Sequence, residues 1–157
     1  MIQTPLRSRL RTRLSHLAFL LLRPMTLGAR ALVVDTENRV FLVRHSYVPG
    51  WHLPGGGVEA GEPMLSALAR ELAEEGNIEM AGEPALHGIF FNRASSRRDH
   101  VAVYVVREFH QEAPPKPNWE IVETGFFAYD ALPPDTARAT RQRLAEYFER
   151  APLSQEW

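Results

Sequence analysis

Residues Gly55 to Ile78 constrain this chain more than any other stretch. Gly55-Gly56-Gly57 is followed by Val58-Glu59-Ala60-Gly61-Glu62. A run from Pro63 then ends in Arg70-Glu71-Leu72-Ala73-Glu74-Glu75-Gly76-Asn77-Ile78. A glycine-rich turn therefore feeds straight into a helix with a dense acidic end. On that helix Glu71, Glu74 and Glu75 stand at i, i+3 and i+4, so their carboxylates share a face. Like charges at this spacing each cost a few tenths of a kcal/mol, roughly. Such a face calls for a cation, and oxygen ligands in this number suit Mg²⁺ or Mn²⁺. Leu65, Leu68, Ala69 and Leu72 follow the spacing of a core-facing stripe. Taken alone, the three glutamates also fit a solvated face of an amphipathic helix.

The glycine turn narrows that choice. The segment resembles the Nudix box, G-x5-E-x7-R-E-U-x-E-E-x-G-U, with U a bulky aliphatic residue. Gly56 and Glu62 take the first two specified positions, Arg70-Glu71-Leu72 the R-E-U, Glu74-Glu75 the E-E, and Ile78 the last aliphatic. One position departs: Asn77 stands where the family has its second glycine. That position ends the helix and favours positive φ, and asparagine is the best non-glycine residue for it.

Length and composition agree with one globular domain. The chain has 157 residues, 45% hydrophobic and 24% charged, enough for a proper core. It has no cysteine, which excludes disulfides and cysteine zinc sites. Within the family this removes the NADH pyrophosphatases that carry a zinc ribbon. A reducing, cytoplasmic location is compatible with it and is the expectation. The net charge of −1 hides an asymmetry, because Arg7, Arg9, Arg11, Arg13, Arg23 and Arg30 face no acid within residues 1–30. The remainder holds 12 bases against 19 acids, a balance of −7 that argues against extended nucleic-acid contact. Residues 1–26 form a basic, apolar N-terminal segment whose run Leu14–Leu22 is too short to span a bilayer. No small-x-small cleavage site follows it. A helix packed on the domain or on a second subunit in a homodimer, an amphipathic contact of residues 1–24 with a membrane surface, and a frayed start are the open readings.

The rest alternates strands and helices. Ala29–Val34 and Val40–His45 read as a β-hairpin across a five-residue polar turn. Leu86–Phe91, Val101–Phe109 and Gly125–Tyr129 read as strands. Asp135–Arg150 reads as a closing helix with Asp135 as N-cap and Ala139, Leu144 and Phe148 turned inward. The proline-rich stretch Ala113–Pro117 is a rigid connector. The order looks like the Nudix α/β/α sandwich with a mixed sheet, over residues 27–150, followed by a tail at 151–157.

The resemblance implies a metal-dependent hydrolase. It would cut a phosphoanhydride in a nucleoside diphosphate linked to another group, so its partner is a nucleotide-type small molecule. By resemblance Glu71, Glu74 and Glu75 are the metal ligands, one of them also acting on the attacking water, and Gly56 adds its carbonyl. Arg70 orients the carboxylates through ion pairing. Glu62 suits the helix start, where the dipole favours an anion. Many members bring a further glutamate to the metal from ahead of an aromatic strand residue. Here Glu120 stands six before Phe126, with Glu123 three nearer. Arg93, Arg97 and Arg98, in the loop before His100, offer forked donors for phosphate. Arg44 and His45 at a strand end, and Trp51 as a stacking surface, are further pocket candidates. His52 reads as structural. The window Arg93–Ser96 holds neither the proline of ADP-ribose enzymes nor the tyrosine of dinucleoside polyphosphate enzymes, so it selects no substrate. The other readings are a Nudix-fold binding or regulatory module without catalysis, and a membrane-associated role through residues 1–24.

Overall fold

The computed structural model describes residues 24–157. The readings placed on residues 1–23 lie outside the described residues.

Among the described residues, nine strands and two α-helices build the fold. They are β1 (Thr26–Val33), β2 (Arg39–His45), β3 (Trp51–His52), β4 (Gly55–Gly57), α1 (Met64–Gly76), β5 (Glu79–Met80), β6 (Ala85–Phe91), β7 (Asp99–Val106), β8 (Phe109–His110), β9 (Ile121–Ala128) and α2 (Arg138–Phe148). The larger sheet runs β4-β1-β7-β6 and is mixed, with β1 parallel to β7 and the other pairs antiparallel. The second runs β3-β2-β9, and β5 pairs β8 separately. The two larger sheets are covered on both sides. On one side Ala29, Ala31, Val33, Phe41 and Val43 pack against Leu68 and Leu72 of α1. On the other, Leu32, Val34, Val40 and Leu42 join Trp51, Phe90 and Leu144 of α2. Alternate residues of β1 and β2 feed opposite cores, as the pleat requires, and so both strands read as continuous apolar runs. This is the α/β/α sandwich with a mixed sheet.

Three local expectations are corrected. First, β1 and β2 do not form a hairpin: only Val34 and Val40 bridge, and the strands enter different sheets. A strand buried on both faces satisfies its edges with distant strands, here β7 and β9. Second, the buried residues of α1 are Ala67, Leu68, Leu72, Glu75 and Gly76, while Leu65 is 40% exposed and Ala69 is exposed too. Third, α2 begins at Arg138, after Ala137, with no side-chain cap. The Asp135 carbonyl instead accepts from Trp51 N, and Ala137 N donates back to the Trp51 carbonyl. The tail at 151–157 is docked on the domain. Glu156 bridges Phe91 at the edge of β6, and Trp157 packs on the α2-side core.

That tail is held by a buried ion pair the sequence reading missed. Arg143 is fully buried, its guanidinium 3.7 Å from the Phe90 ring centre and 5.7 Å from that of Trp157. It donates to Glu146 at 2.6 Å and to the Glu156 carbonyl at 3.0 Å. Glu146 also accepts from Ser154 N at 2.9 Å and faces His87 Nε2 at 3.2 Å. Burial pulls the Arg143 pKa down, partly offset by Glu146.

Asn77 ends α1 in the left-handed region, φ 51° and ψ 38°. Its N–H reaches the Ala73 carbonyl and Ile78 N reaches that of Leu72, the double closure that seals a helix C-terminus. Its side chain adds a bond to the Ala113 carbonyl at 3.0 Å. The helix therefore stops two residues before β5 and leaves Glu71, Glu74 and Glu75 in its last turns.

Candidate active site

The glycine turn and the acidic end of α1 meet. Gly55 has φ 131°, and a Cβ there would collide with the Ala29 carbonyl of β1. This close pairing brings the Gly55 N–H onto Glu75 Oε2 at 2.7 Å. Gly56 lies directly against the Glu71 carboxylate, where a Cβ would overlap it. Glu71 and Glu75 thus share one patch of backbone, and glycine is what leaves them room.

Arg70 clamps this patch. Its Nε and NH2 each donate to Glu62 at 3.1 Å, NH1 donates to Glu71 at 2.8 Å, and NH2 reaches the Gly57 carbonyl at 3.2 Å. Glu74 lies farther away, 3.6 Å from NH1, and is 61% exposed. Glu62 is therefore no helix cap. Pro63 holds that position without a side-chain bond, and Glu62 binds Arg70 and the Glu59 N–H instead. Bonds from Arg70 and the Glu59 amide lower the Glu62 pKa. That of Glu71 is raised, chiefly by burial, against the pull of Arg70 and with the neighbouring Glu75 and Glu74 adding to it. A carboxylate desolvated beside two others is a place for a cation, and the all-oxygen donors on Glu71, Glu74 and Glu75 fit a hard divalent ion.

Glu120 approaches from the far loop. Asn118 Oδ1 accepts from the amides of Glu120 and Ile121, and Ser46 N donates to the Glu120 carbonyl at 2.9 Å. The loop is thereby tied to the end of β2, with Tyr47 OH 3.2 Å from Glu120 Oε1. One ligand atom each from His45, Glu75 and Glu120 lie within 4.8 Å of one another. His45, buried at the end of β2, puts Nε2 2.6 Å from Glu75 Oε1. Trp119 beside Glu120 is 83% exposed and Tyr47 is 66% exposed. Neither aromatic was singled out from the sequence, where only their neighbourhood to Glu120 and His45 marks them.

The other candidates are placed less centrally. Trp51 is 5% exposed and packs edge-on against Phe127, so its ring belongs to the core and is not an open stacking surface. Arg44 points away from His45 across the pleat and lies 3.7 Å from Glu123. Arg93, Arg97 and Arg98 are exposed in the β6–β7 loop, and none is in an ion pair among the described residues. That loop meets the start of β1, where Thr26 N binds the Arg98 carbonyl, and Gly57 pairs Gly28 two residues on. His52 binds the Pro49 carbonyl, and burial lowers its pKa. A surface cavity of about 690 Å³ lies along Ala69, Ala73 and Asn77, and none of Glu71, Glu74 and Glu75 lines it. The convergence of carboxylates, not this groove, marks the chemistry.

Comparison with known proteins bears on the same residues. The family model for the NUDIX domain matches residues 24–148. The chain is 33% identical over 120 residues to diphosphoinositol polyphosphate phosphohydrolase 2 of Rattus norvegicus, covering 76% of this chain and 65% of that protein. It is 37% identical over 57 residues to the RNA pyrophosphohydrolase of Pelagibacter ubique, covering 35% of this chain and 36% of that one. It spans less than two thirds of the length of each of these curated relatives. Among solved structures, the MutT NUDIX hydrolase from Burkholderia pseudomallei superimposes with a TM-score of 0.65 at 28% identity, over 76% of this chain and 95% of that one. With the matched domain spanning both the glycine turn and the glutamates it positions, the chain belongs to the NUDIX domain family.

Proposed function

We propose that this chain is a metal-dependent pyrophosphohydrolase that cuts a phosphoanhydride in a nucleoside diphosphate linked to another group. The observation that carries this reading is the meeting of Glu71 and Glu75 on the Gly55–Gly56 backbone. Relatives named for diphosphate-cleaving activities support it. The catalytic unit is residues 27–150.

Glu71, Glu74 and Glu75 would hold the cation, with Glu120 in reach of Glu75, and Gly56, whose backbone lies against Glu71, would add its carbonyl. A divalent ion there supplies charge neutralisation at phosphate oxygens and a more acidic water. The protein's own part is positional. Arg70 fixes Glu71 and, through Glu62 and the Gly57 carbonyl, the turn that faces it. The Gly55 N–H sets the rotation of Glu75. Asn118 and Ser46 set the loop that carries Glu120. A carboxylate so placed takes the proton of the attacking water. The exposed Arg93, Arg97 and Arg98 supply bidentate donors for the phosphates that the cation does not cover. Trp119 and Tyr47 offer ring faces beside Glu120 for a planar substrate group.

The test is a phosphate-release screen of the full chain with Mg²⁺ and with Mn²⁺. Substrates are nucleoside triphosphates, nucleotide sugars, dinucleoside polyphosphates, capped or triphosphorylated RNA ends and a diphosphoinositol phosphate. Turnover of at least one substrate, abolished by chelator, is expected. No turnover across the panel, or turnover that survives excess chelator, overturns the reading.

A further inference from the structure

His45 is a buried, titratable side chain with no place in that scheme. Its side chain is 3% exposed, and one ring nitrogen, Nε2, faces Glu75 Oε1 at 2.6 Å. The other, Nδ1, is buried without a hydrogen-bond partner among the described residues. The unpaired nitrogen is not the one that meets Glu75, so a cation shared with Glu75 would be bound through Nε2, in place of its hydrogen bond. The imidazole is also fixed in place. It ends β2, where the register shifts between Arg44 and His45, and it lies 5.2 Å from the Tyr47 ring.

Its neighbours are held in a matching arrangement. Gly55 N–H takes Glu75 Oε2, which leaves Oε1 turned to His45. Tyr47 OH contacts Glu120 Oε1, and the three groups offer ligand atoms within 4.8 Å of one another. Adjacent ligands around a small octahedral cation stand about 3 Å apart, which the His45–Glu75 separation approaches.

We propose that His45 is a nitrogen ligand of the cation site, together with Glu75 and Glu120, and that it biases the site toward Mn²⁺ or Co²⁺ over Mg²⁺. This rests on reading the glutamates as a metal centre. The bias follows from donor chemistry. Mg²⁺ takes oxygen and keeps its waters, whereas imidazole strengthens binding along the series from Mn²⁺ to Co²⁺. A site of glutamates alone has no such preference for nitrogen-accepting ions. The competing role for His45 is to hold Glu75 by a hydrogen bond, as a positioning residue. Its loss would then weaken every cation alike.

The experiment uses the full chain and its His45→Gln variant, without nucleotide. Calorimetric titrations with MgCl₂, MnCl₂ and CoCl₂ give the affinities. Pulsed EPR of the Mn²⁺-loaded wild type looks for ¹⁴N coupling from a directly bound imidazole. We expect ¹⁴N coupling in the wild type and none in the variant. Co²⁺ affinity should fall about tenfold or more in the variant, and Mg²⁺ affinity about threefold or less. Oxygen-only coupling in the wild type, or an equal loss for all three ions, overturns the proposal while leaving the metal centre intact. Absence of binding by any ion overturns both. If His45→Gln does not fold, the wild-type EPR spectrum decides alone.

Discussion

Glu74→Gln separates catalysis from folding, because the three acidic residues of α1 are embedded so differently. Glu74 is 61% exposed, and its one ion pair, to Arg70, is 3.6 Å long. Arg70 keeps its bonds to Glu62 and Glu71 when Glu74 is neutral. An exposed pair of this kind contributes about 0–1 kcal/mol. Removing one of three like charges on the same face returns a few tenths of a kcal/mol, roughly. The chelated variant should therefore unfold within about 0.5 kcal/mol of wild type, or slightly later. The metal-loaded protein should behave otherwise. Cation binding at about 100 times its dissociation constant stabilises the wild type by about 2.7 kcal/mol, and a variant short of one ligand charge should lose most of that gain. Turnover should fall at least about 100-fold, in line with removal of a main electrostatic group at a reacting centre. The assays are phosphate release at saturating substrate and urea denaturation with Mg²⁺ or with EDTA. Full turnover in Glu74→Gln, or an undiminished Mg²⁺ stabilisation, would refute the assignment of Glu74 as a ligand.

Other perturbations test separate parts. Replacing Arg97 and Arg98 together with alanine should raise KM roughly tenfold and change kcat less, since uniform binding is removed. The effect should shrink at high salt, and an unchanged KM at low salt makes the loop a solvated turn. Arg143→Met strands the buried Glu146 carboxylate and should cost about 3 kcal/mol in urea denaturation. Adding Glu146→Leu should recover part of that loss, and a cost that simply adds would mean the pair is not coupled. Asn77→Gly trades the Ala113 bond for easier left-handed geometry and should shift stability by under about 1 kcal/mol. Asn77→Val, forced to positive φ, should lose more, and equal stability of the two would deny any strain there. Asp35 sits below the usual carboxylate range: burial pushes its pKa up, but bonds from the Arg39 amide, the Arg39 guanidinium and the Glu37 amide outweigh it. A depressed folded-state pKa gives stability that is present above the unfolded value and lost as pH falls. Asp35→Asn should thus cost about 1 kcal/mol above about pH 5, and the difference should vanish as the pH drops through that depressed pKa. A gap that persists in acid would trace to shape and not to charge.

How much of this was legible in the sequence depends on where each constraint acts. The helix stop at Asn77 and the stacking of Glu71, Glu74 and Glu75 are local, fixed by residues within a turn or two; spacing exposes the glutamates, and the likeness to the Nudix box exposes the stop. The hairpin expected at β1 and β2 failed for the opposite reason. Two apolar runs across a polar turn satisfy every short-range rule, but strands buried on both faces take partners from β7 and β9, far along the chain. Arg143 breaks the binary pattern of α2. Glu146 three residues on is a local partner, but the rings that bury the guanidinium are remote, Phe90 in another strand and Trp157 past the end of the helix.

The three glutamates show the same limit inside the site. A helical wheel makes them equivalent, yet their surroundings divide them into three kinds. Glu75 is buried between a backbone amide and a histidine, Glu71 is wedged against a glycine and an arginine, and Glu74 is open to solvent. Spacing marks the face. The strands opposite it decide which carboxylate is held rigid and which is free to move onto an arriving cation. Rigidity at Glu75 and freedom at Glu74 are complementary, since a site with all three locked would strain when its charge is neutralised. A site with none locked would meet the full repulsion of three carboxylates without a frame to hold them. On the proposed reading the division of burial along one turn of α1 serves cation binding, and β2 and β4 set it together with Arg70.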